Sequence, residues 1–514
     1  MTTSGLQLLL AMQLGALASE EPPQPPRLFG EFSVDLAEKA HFHHSWEECV
    51  GSGHASLTLR GDWRTQLARC QKELGFKRTR FHGLLDDDMS ISIKEGVNSY
   101  VNLDSIIDFH NSISMVPLFE LSFMPKWLAS KPTTTCHYKG ITSPPSNYTK
   151  WGEIIEAMAT HLLLRYGEAK CATFMFEVWN EPNGGNNPDA GFWTGWPKQE
   201  TYFHLYKETA DAFSRVSDAF KVGGPSTAGC PGWISDLKAF AANSTPPTKL
   251  DFFTCHSYGG GKDPANVGST DFVHSFYNAK KLAAGLPLVV TEWSSSWSFN
   301  VDFHDEPGSA AFLVAAIQLA DGATDMMSYW TFSDVFEEGG MLPGAFHGGF
   351  GLLNVYGTPK PVYRAFQLLH EAGDQRLAVS SSTRDSSMNC TDGGVLATLA
   401  NGTLNLFLYN HLVSGLTGNY CTLNVALEGV TSILPSSLAT RIDEGHTNPK
   451  ATFQSMGSPE SPSENQLQAL EDASRLVWTP IAHMAGVTVH PCAPLCSISV
   501  DVPPHGLCVL RIPV

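Results

Sequence analysis

The sequence predicts an α/β protein, a (β/α)8 TIM barrel with an appended C-terminal β-sandwich domain. Two observations support this prediction. Between residues 41 and 372, short apolar runs alternate with amphipathic stretches of helical periodicity, which is typical of parallel strands with helices packed outside them. From residue 373 to 514, short runs of alternating polarity are separated by Asn, Gly and Ser, which indicates antiparallel strands joined by turns.

Eight strand-like runs are expected in the barrel. The first lies near His41–Val50, and the others are Phe76–Leu85, Met115–Phe123, Phe174–Trp179, Lys221–Gly224, Phe252–Tyr258, Leu286–Thr291 and Met326–Phe332. Thr201–Phe220 and Ser309–Ala320 have apolar residues three and four positions apart, which predicts helices. A count of eight favours a closed barrel. An open doubly wound sheet is the alternative, but no Gly-x-Gly-x-x-Gly turn follows an early strand, so nothing indicates a dinucleotide cofactor.

The predicted sandwich takes its strands from both sides of the barrel region. Its C-terminal runs are Val395–Leu399, Leu404–Tyr409, Cys421–Ala426 and the alternating stretch Val487–Leu510, with a helical patch at Ser458–Leu476. Residues 19–40 form an N-terminal extension before the barrel. Alternation around Phe29–Leu36 predicts that this extension contributes one strand to the sandwich.

Composition excludes several classes of protein and partner. Apolar residues make up 42% and charged residues 16% of the 514 positions, which excludes a disordered chain and a coiled coil. The 51 acidic residues outnumber the 33 Lys and Arg residues and give a net charge of −18. Such a surface repels phosphate backbones, so nucleic acid is not an expected partner. No later run approaches the roughly 20 apolar residues that cross a bilayer, so no membrane association is expected.

The N-terminus has features of a secretory signal peptide over residues 1–18. An apolar stretch, Leu6–Leu17, ends in Ala16-Leu17-Ala18, a small-x-small cleavage pattern. An apolar tail of a cytosolic protein is the alternative, since no basic residue precedes the stretch. A signal peptide predicts secretion or delivery to the endomembrane or lysosomal lumen. Four glycosylation sequons fit that route, at Asn147, Asn243, Asn389 and Asn401.

The 11 cysteines form no CxxC pair, which disfavours a zinc site. Five of them cluster near the C-terminus and predict disulfide bonds in an exported domain: Cys390, Cys421, Cys492, Cys496 and Cys508. The odd total leaves at least one thiol free. Cys171 and Cys255 lie in apolar runs and are expected to be core cysteines without a partner.

Polar and aromatic side chains gather where the predicted strands end, and barrel enzymes build their active sites there. The second strand ends with Arg80 and His82, the fourth with Asn180 and Glu181, the sixth with His256 and Tyr258, the seventh with Glu292 and the eighth with Trp330. Strands four and seven face each other across a barrel of eight. We therefore expect Glu181 and Glu292 to meet at its mouth.

A facing pair of carboxyl groups is what glycoside hydrolysis requires. One group protonates the departing oxygen, and the other attacks the anomeric carbon or activates water. Aromatic faces such as those of Trp330 and Tyr258 suit the C–H surfaces of sugars, and His and Asn side chains bind hydroxyls. A single glutamate at a strand end is usually a solvated carboxylate. Two of them, on strands four and seven, favour catalysis.

Two clusters suggest a metal site. His41 and His43 would share one face of a strand, next to His44, but no Cys or third carboxylate completes a tetrahedral set. Asp86-Asp87-Asp88 could bind calcium, but three consecutive carboxylates usually form a solvated loop. We therefore expect neither a metal nor a cofactor.

Local motifs are more specific than these general patterns. They are Arg80–Leu85, Glu120–Pro125, Phe176–Asn183, Lys221–Pro225, Ser328–Glu338 and Phe346–Leu352 in the barrel region, with Ile442–His446 in the C-terminal region. In combination they closely resemble glycoside hydrolase family 39, a clan A family of retaining enzymes on (β/α)8 barrels. The resemblance covers nearly all of the chain after residue 18.

The resemblance implies roles for the residues at the strand ends. Glu292 is the expected nucleophile, which forms a glycosyl-enzyme, and Glu181 is the expected acid, which then acts as the base for water. Asn180 is expected to bind the sugar 2-hydroxyl, and Arg80 to hold a catalytic carboxylate ionised from beneath. The rest of the sugar pocket is assigned to His82, His256, Tyr258, Trp330, Glu337 and Glu338.

The family contains β-xylosidases and α-L-iduronidases, and the motifs at and after strand eight resemble the β-xylosidase branch. An iduronidase must hold a substrate carboxylate with a cation. The nearest cations to the motifs are Arg80, Lys126 and Lys262, whereas Glu337 and Glu338 suit neutral hydroxyls. We therefore expect release of terminal β-D-xylose from xylo-oligosaccharides or β-xylosides. The alternatives are a lysosomal-type iduronidase acting on glycosaminoglycans and a carbohydrate-binding pseudoenzyme.

Overall fold

The structure, a computed structural model, describes residues 28–382 and 389–514. The predicted signal peptide, residues 1–18, lies outside the described residues. The described ranges form a closed barrel of eight parallel strands and a ten-stranded, mostly antiparallel sheet. The predicted fold class, a TIM barrel with an appended β-sandwich, is confirmed. No helix in these two ranges has both the length and the apolar character needed to cross a bilayer.

The elements alternate in the barrel and become strand-rich after it. The strands are β1 Leu28–His41, β2 Cys49–His54, β3 Arg78–His82, β4 Ser92–Lys94, β5 Val97–Asn98, β6 Val116–Leu121, β7 Thr134–Thr135, β8 Gly140–Ile141, β9 Met175–Val178, β10 Lys221–Ala228, β11 Phe252–His256, β12 Leu288–Trp293, β13 Met326–Tyr329, β14 Gln375–Ser382, β15 Gly393–Ala400, β16 Thr403–Asn410, β17 Cys421–Glu428, β18 Leu438–Ile442, β19 Thr479–Pro480, β20 Val487–His490, β21 Cys496–Val502 and β22 Gly506–Pro513. The helices are α1 Gly61–Leu74, α2 Val101–Ser112, α3 Tyr148–Tyr166, α4 Glu168–Cys171, α5 Lys198–Val216, α6 Ile234–Asn243, α7 Val273–Ala283, α8 Gly308–Ala320, α9 Pro361–His370, α10 Pro449–Ser455 and α11 Glu464–Ala473. The barrel consists of β2, β3, β6 and β9 to β13.

The barrel interior is layered because side chains two positions apart on a strand point the same way. An apolar layer closes the bottom, with one residue from each of six strands: Cys49, Leu118, Met175, Phe252, Val289 and Met326. Two positions further along β6 and β9 come Glu120 and Glu177, and both are fully buried. The middle of the barrel is therefore polar beneath the strand ends.

The first barrel strand differs from the prediction. β2 begins at Cys49, so it shares only two residues with the predicted run His41–Val50. His41 instead ends β1, where it pairs with Gln375 of β14. The cause is long-range pairing, because β14 continues to offer backbone partners to β1 as far as His41.

The ten-stranded sheet folds over an apolar core of its own. Its strand order is β19-β18-β22-β16-β15-β14-β1-β17-β21-β20. Leu406 and Leu510 from one half of the sheet pack in the same cluster as Val34, Leu423 and Ile498 from the other half. Since β1 precedes the barrel and β14 to β22 follow it, segments from both sides of the barrel in the chain build one sandwich domain.

Helix α8 joins the cores of the two domains. Its sequence is apolar on nearly every side, and such a helix is stable only when it is buried all round. Phe312, Leu313 and Ile317 lie in the same apolar cluster as Phe407 and Val509 of the sandwich. The core is therefore continuous from the barrel to the sandwich.

Three disulfide bonds lie within the described ranges: Cys230–Cys255, Cys390–Cys421 and Cys492–Cys496. The last two join members of the predicted C-terminal cluster. The prediction for Cys255 was wrong, because the loop after β10 returns to β11 and brings the Cα atom of Cys230 within 5.3 Å. Cys508 is buried and free, and its neighbours on the adjoining strands are not cysteines, so it is one of the thiols that the odd total leaves unpaired. Cys171 is a free core cysteine, as expected.

Candidate active site

A cavity of about 630 Å³ opens at the carboxyl ends of the barrel strands. Most of the sequence-predicted site residues line it, namely His82, Asn180, Glu181, His256, Tyr258, Glu292, Trp330 and Glu338. Its volume falls within the range of about 300–1,000 Å³ that is typical of small-molecule sites. The ends of several strands therefore contribute to a single pocket.

Glu181 and Glu292 approach each other in this cavity. One oxygen of each carboxyl group lies within 4.8 Å of the other. Nδ1 of His256 lies 2.9 Å from Oε1 of Glu181 and 3.5 Å from Oε2 of Glu292, so the imidazole contacts both. The turn after β9 presents Glu181 in the left-handed backbone region (φ 41°), where its N–H donates to the carbonyl oxygen of Ser226 on β10 at 2.8 Å. The two carboxyl groups are close enough to act on the same bond.

Arg80 lies completely buried and binds the nucleophile candidate from within the barrel. Its Nε is 2.6 Å from Glu177, and its Nη1 is 2.7 Å from Oε1 of Glu292. Its Nη2 donates to Oδ1 of Asn180 and approaches Glu120, both at 2.8 Å. A guanidinium suits this position because its five N–H groups point in fixed directions. One cation thus orients Glu292 and Asn180 together.

Glu292 is held ionised although it is buried. Burial favours the protonated acid, but the charges of His256 and Arg80 outweigh it and lower the pKa of Glu292 below its ordinary value. The hydroxyl of Tyr258 donates to Oε2 of Glu292 at 2.5 Å. Burial and the charge of Glu292 raise the pKa of Tyr258 well above its ordinary value, so the phenol keeps its proton. Glu292 therefore has the charge state of a nucleophile or general base.

His82 links the cavity to a buried carboxylate of β6. Its Nδ1 is hydrogen-bonded to Glu120, and its Nε2 lies 3.1 Å from Oε1 of Glu338. Burial opposes a charge on the ring, but Glu120 and Glu338 raise the pKa of His82 to about 10. Burial also raises the pKa of Glu338 above its ordinary value. His82 and Glu338 both line the cavity, so sugar hydroxyls there can contact this ion pair.

Trp330 supplies an apolar face next to these charges. The residue is only 3% exposed, and its ring centre lies 5.9 Å from the Arg80 guanidinium carbon and 4.8 Å from the His82 ring centre. Gly51 of β2 makes room for the indole, because a Cβ atom there would lie 2.5 Å from Cε3 of Trp330. The C–H face of a sugar ring suits such a surface.

Glu337 does not line the cavity, contrary to the prediction. Its Oε1 lies 3.6 Å from Nδ1 of His54, whose ring is also 3.3 Å from Asp86 and from Asp88. Burial opposes a charge on His54, but Asp86 and Glu337 raise the pKa of His54 to about 9. This imidazolium holds Glu337 away from the sugar pocket. It also explains why Asp86 is buried, whereas the sequence suggested a solvated loop.

Two groups in the described ranges place possible metal ligands close together: His54 with Asp86 and Asp88, and Glu181 with His256 and Glu292. In the first group, the ring of His54 already forms ion pairs with both Asp86 and Asp88 and offsets part of their charge. The second group is the carboxyl pair itself. The His41–His44 segment holds neither group, and the ring nitrogens of His44 instead contact Glu47 and the carbonyl oxygen of Gly373.

Sequence reasoning assigned no role to several residues of the site. Glu120 and Glu177 bind Arg80, Thr291 donates to Glu177 at 2.7 Å, and Asn266 and Trp297 line the cavity. A usable signal existed for the two glutamates, since each is a charge inside an apolar strand run. No comparable signal marked Trp297, because a loop tryptophan is compatible with many environments.

The chain is similar to characterised proteins over most of its length. It is 40% identical over 448 residues to a β-xylosidase of Caldicellulosiruptor saccharolyticus, which covers 84% of this chain and 88% of that protein. It is 32% identical over 483 residues to a β-xylosidase of Geobacillus stearothermophilus, which covers 87% of this chain and 90% of that protein. The structure of a GH39 β-xylosidase from Caulobacter crescentus superposes with a TM-score of 0.75 at 27% identity, covering 94% of this chain and 100% of that one.

The family model described as "Glycosyl hydrolases family 39" matches residues 33–485. The match begins in β1 and ends just before β20, so it includes the whole barrel and most of the sandwich. It agrees with the resemblance seen in the sequence motifs. The chain therefore belongs to glycosyl hydrolase family 39 and is a glycosidase.

Proposed function

We propose that this chain is a retaining β-xylosidase that releases terminal β-D-xylose from xylo-oligosaccharides or β-xylosides by double displacement. The observation that carries the proposal is the approach of Glu181 and Glu292, since a carboxylate oxygen of one lies within 4.8 Å of a carboxylate oxygen of the other. Retaining glycosidases place their carboxyl groups about 5–5.5 Å apart, and inverting enzymes leave about 6.5–9.5 Å for a water molecule. The short separation supports retention.

In the first step, an oxygen of Glu292 attacks the anomeric carbon and the glycosidic C–O bond breaks. Glu181 gives its proton to the departing oxygen, so the leaving group departs as a neutral alcohol. Arg80 and Tyr258 hold the attacking carboxylate in place, at 2.7 Å and 2.5 Å. The product of this step is a xylosyl-enzyme ester on Glu292.

In the second step, Glu181 is ionised and takes a proton from water. The oxygen of that water attacks the anomeric carbon, and the ester bond to Glu292 breaks. Xylose leaves with the β configuration, and both glutamates return to their starting charge states. Asn180, oriented by Arg80, faces the cavity and would bind the sugar 2-hydroxyl, a contact that strengthens in the transition state.

A neutral sugar suits this pocket better than a uronate. Among the cavity-lining residues in the described ranges there is no Lys or Arg. Arg80 lies beneath the pocket with its N–H groups on Glu120, Glu177 and Glu292, so it is not free to bind a substrate carboxylate. Glu338 would repel such a group. The two relatives named as β-xylosidases support the same choice over an iduronidase.

The test is parallel hydrolysis of an aryl β-D-xyloside and an aryl α-L-iduronide by the purified protein at pH 4.5–7. Xyloside turnover with β-xylose as the first product, observed by NMR, would support the proposal. Iduronide turnover alone, or α-xylose as the first product, would overturn it. No turnover of either substrate by folded protein would favour a carbohydrate-binding function without catalysis.

We also propose that the chain is exported after removal of residues 1–18. The three disulfide bonds support this proposal, since such bonds persist in oxidising compartments. Mass spectrometry of the protein from its native host tests it: a mature N-terminus at Ser19 is expected. Retention of Met1 in cytosolic protein would contradict it.

A further inference from the structure

The loop after the nucleophile strand carries an exposed tryptophan at the edge of the cavity. Trp297 follows Glu292 by five residues and is 64% exposed, yet it lines the same cavity as the two glutamates. A solitary exposed aromatic residue is common on protein surfaces and needs no function. The position of Trp297 in the pocket, and the way its ring is held, distinguish it from that case.

Gly261 holds the indole of Trp297 in place. A Cβ atom at position 261 would lie 2.8 Å from Cζ2 and 3.1 Å from Cε2 of the indole, so the ring packs directly on the glycine backbone. The backbone N–H of Trp297 donates to the carbonyl oxygen of Gly260 at 3.1 Å, and the hydroxyl of Ser296 donates to the carbonyl oxygen of Gly261 at 2.7 Å. The exposed ring thus packs against the loop that follows β11, so Trp297 loses little side-chain freedom when a ligand stacks on it.

The side chains that line the cavity become more exposed from the nucleophile candidate to the acid candidate to the tryptophan. The side chain of Glu292 is 6% exposed and that of Glu181 is 21% exposed, whereas Trp297 is 64% exposed. The sugar that is attacked must contact Glu292, and the leaving group departs on the side of Glu181. The leaving group is therefore nearer the opening of the pocket, where Trp297 and the amide of Asn266 lie.

We propose that Trp297 is the stacking platform for the second xylose unit of a xylo-oligosaccharide, the unit that leaves with the proton from Glu181. The axial C–H bonds of a xylopyranose ring give it an apolar face that suits the electron-rich face of an indole. Asn266 also lines the cavity, and its amide oxygen can accept a hydrogen bond from a hydroxyl of that unit while its amide nitrogen donates to Asp263. This inference rests on the proposed β-xylosidase function and makes an oligosaccharide, rather than a small alkyl xyloside, the preferred substrate.

The experiment compares Trp297→Ala, Trp297→Phe and wild-type enzyme on xylobiose, with xylose as a competitive inhibitor. Xylose occupies only the deep part of the pocket, so its Ki reports on that part alone. We expect Trp297→Ala to raise KM for xylobiose roughly five- to tenfold, with kcat and the Ki of xylose changed by less than about twofold. Trp297→Phe should recover most of the loss.

Trp196→Ala is the matched control, because Trp196 is 59% exposed but does not line the cavity. It should behave as the wild type. Equal KM values for xylobiose in the two alanine variants would overturn the inference and leave the proposed function intact. An equal rise in the Ki of xylose in Trp297→Ala would also overturn it. Wild-type enzyme that hydrolyses neither xylobiose nor an aryl xyloside would overturn the function and the inference together.

Discussion

Nη1 of Arg80 lies 2.7 Å from Oε1 of Glu292, at the boundary between the buried middle of the barrel and the open pocket. The same guanidinium contacts Glu120 and Glu177, so three carboxyl groups share one arginine. His82, with a pKa raised to about 10, adds a second positive charge to this group. The resulting balance keeps Glu292 ionised in a place where burial alone would protonate it.

Replacing Glu292 by Ala should abolish turnover of an aryl β-xyloside, with kcat reduced at least about 10⁴-fold because no covalent intermediate can form. The smaller side chain leaves room for azide, which should restore activity and give α-xylosyl azide. Product NMR together with the melting temperature checks this expectation. A folded variant that azide does not rescue would argue against Glu292 as the nucleophile.

Replacing Glu181 by Ala should have an effect that depends on the leaving group. Xylobiose needs a proton on its departing oxygen, so kcat/KM should fall by about 10²–10⁴-fold. The aryloxide of an activated aryl xyloside departs without a proton from Glu181, so the first step with that substrate should slow far less. The comparison of pre-steady-state bursts on the two substrates measures this difference. Equal losses on both would contradict the acid role.

Replacing Tyr258 by Phe should shift the acidic limb of the pH profile upward. The Tyr258 hydrogen bond stabilises the ionised form of Glu292, so its loss raises the pKa of Glu292, and the enzyme then needs a higher pH to be active. The expected shift in the kcat/KM profile is on the order of one pH unit. A profile that falls in height without moving along the pH axis would mean that Tyr258 only positions the substrate.

His110 of α2 should make the fold sensitive to acid. Burial lowers its pKa to about 4, and its Nδ1 donates to the carbonyl oxygen of Ile106 at 2.8 Å. An unfolded histidine binds its proton near pH 6.5, so between pH 6.5 and 4 the unfolded state holds more protons and the free energy of unfolding falls as the pH falls. The stability that comes from burying neutral His110 is therefore fully present above pH 6.5 and is lost by about pH 4.

Urea unfolding of the wild type and of His110→Asn at pH 7 and pH 4.5 tests this expectation. The Asn amide keeps an N–H donor near the position of His110 Nδ1 but does not titrate in this range. The wild type should lose more stability than the variant between the two pH values, by on the order of 2–3 kcal/mol. The comparison uses differences, so a lower stability of the variant at pH 7 does not affect it. Equal losses in both proteins would assign the acid sensitivity to other groups.

Local patterns in the sequence were sufficient to predict the fold class and the facing pair of glutamates. Alternating strands and helices predict a parallel barrel, because each pattern reflects which side of an element is buried. Glu181 and Glu292 are recognisable because both follow a strand, and all strands of such a barrel end at the same rim. Their approach to within 4.8 Å therefore follows from the order of the strands along the chain.

Other features depended on contacts between segments that are distant in the chain. Glu337 and Glu338 are adjacent in sequence, yet Glu337 pairs with His54 and Glu338 with His82, so only Glu338 lines the cavity. Cys255 pairs with Cys230 only because the loop after β10 folds back on β11. No local pattern shows which histidine a glutamate will pair with or which cysteine will reach Cys255, because the partner lies far away in the chain.

The sequence by itself thus determined the barrel, the sandwich, the family and the pair of glutamates at the barrel mouth. The tertiary structure alone decided how charge is shared around Arg80, which acidic residues face the sugar, and where Trp297 lies. The physical reason is the range of the interactions involved. Burial and strand alternation are properties of a few neighbouring residues, whereas a charge network takes its energy from groups that only the folded chain brings within hydrogen-bond distance.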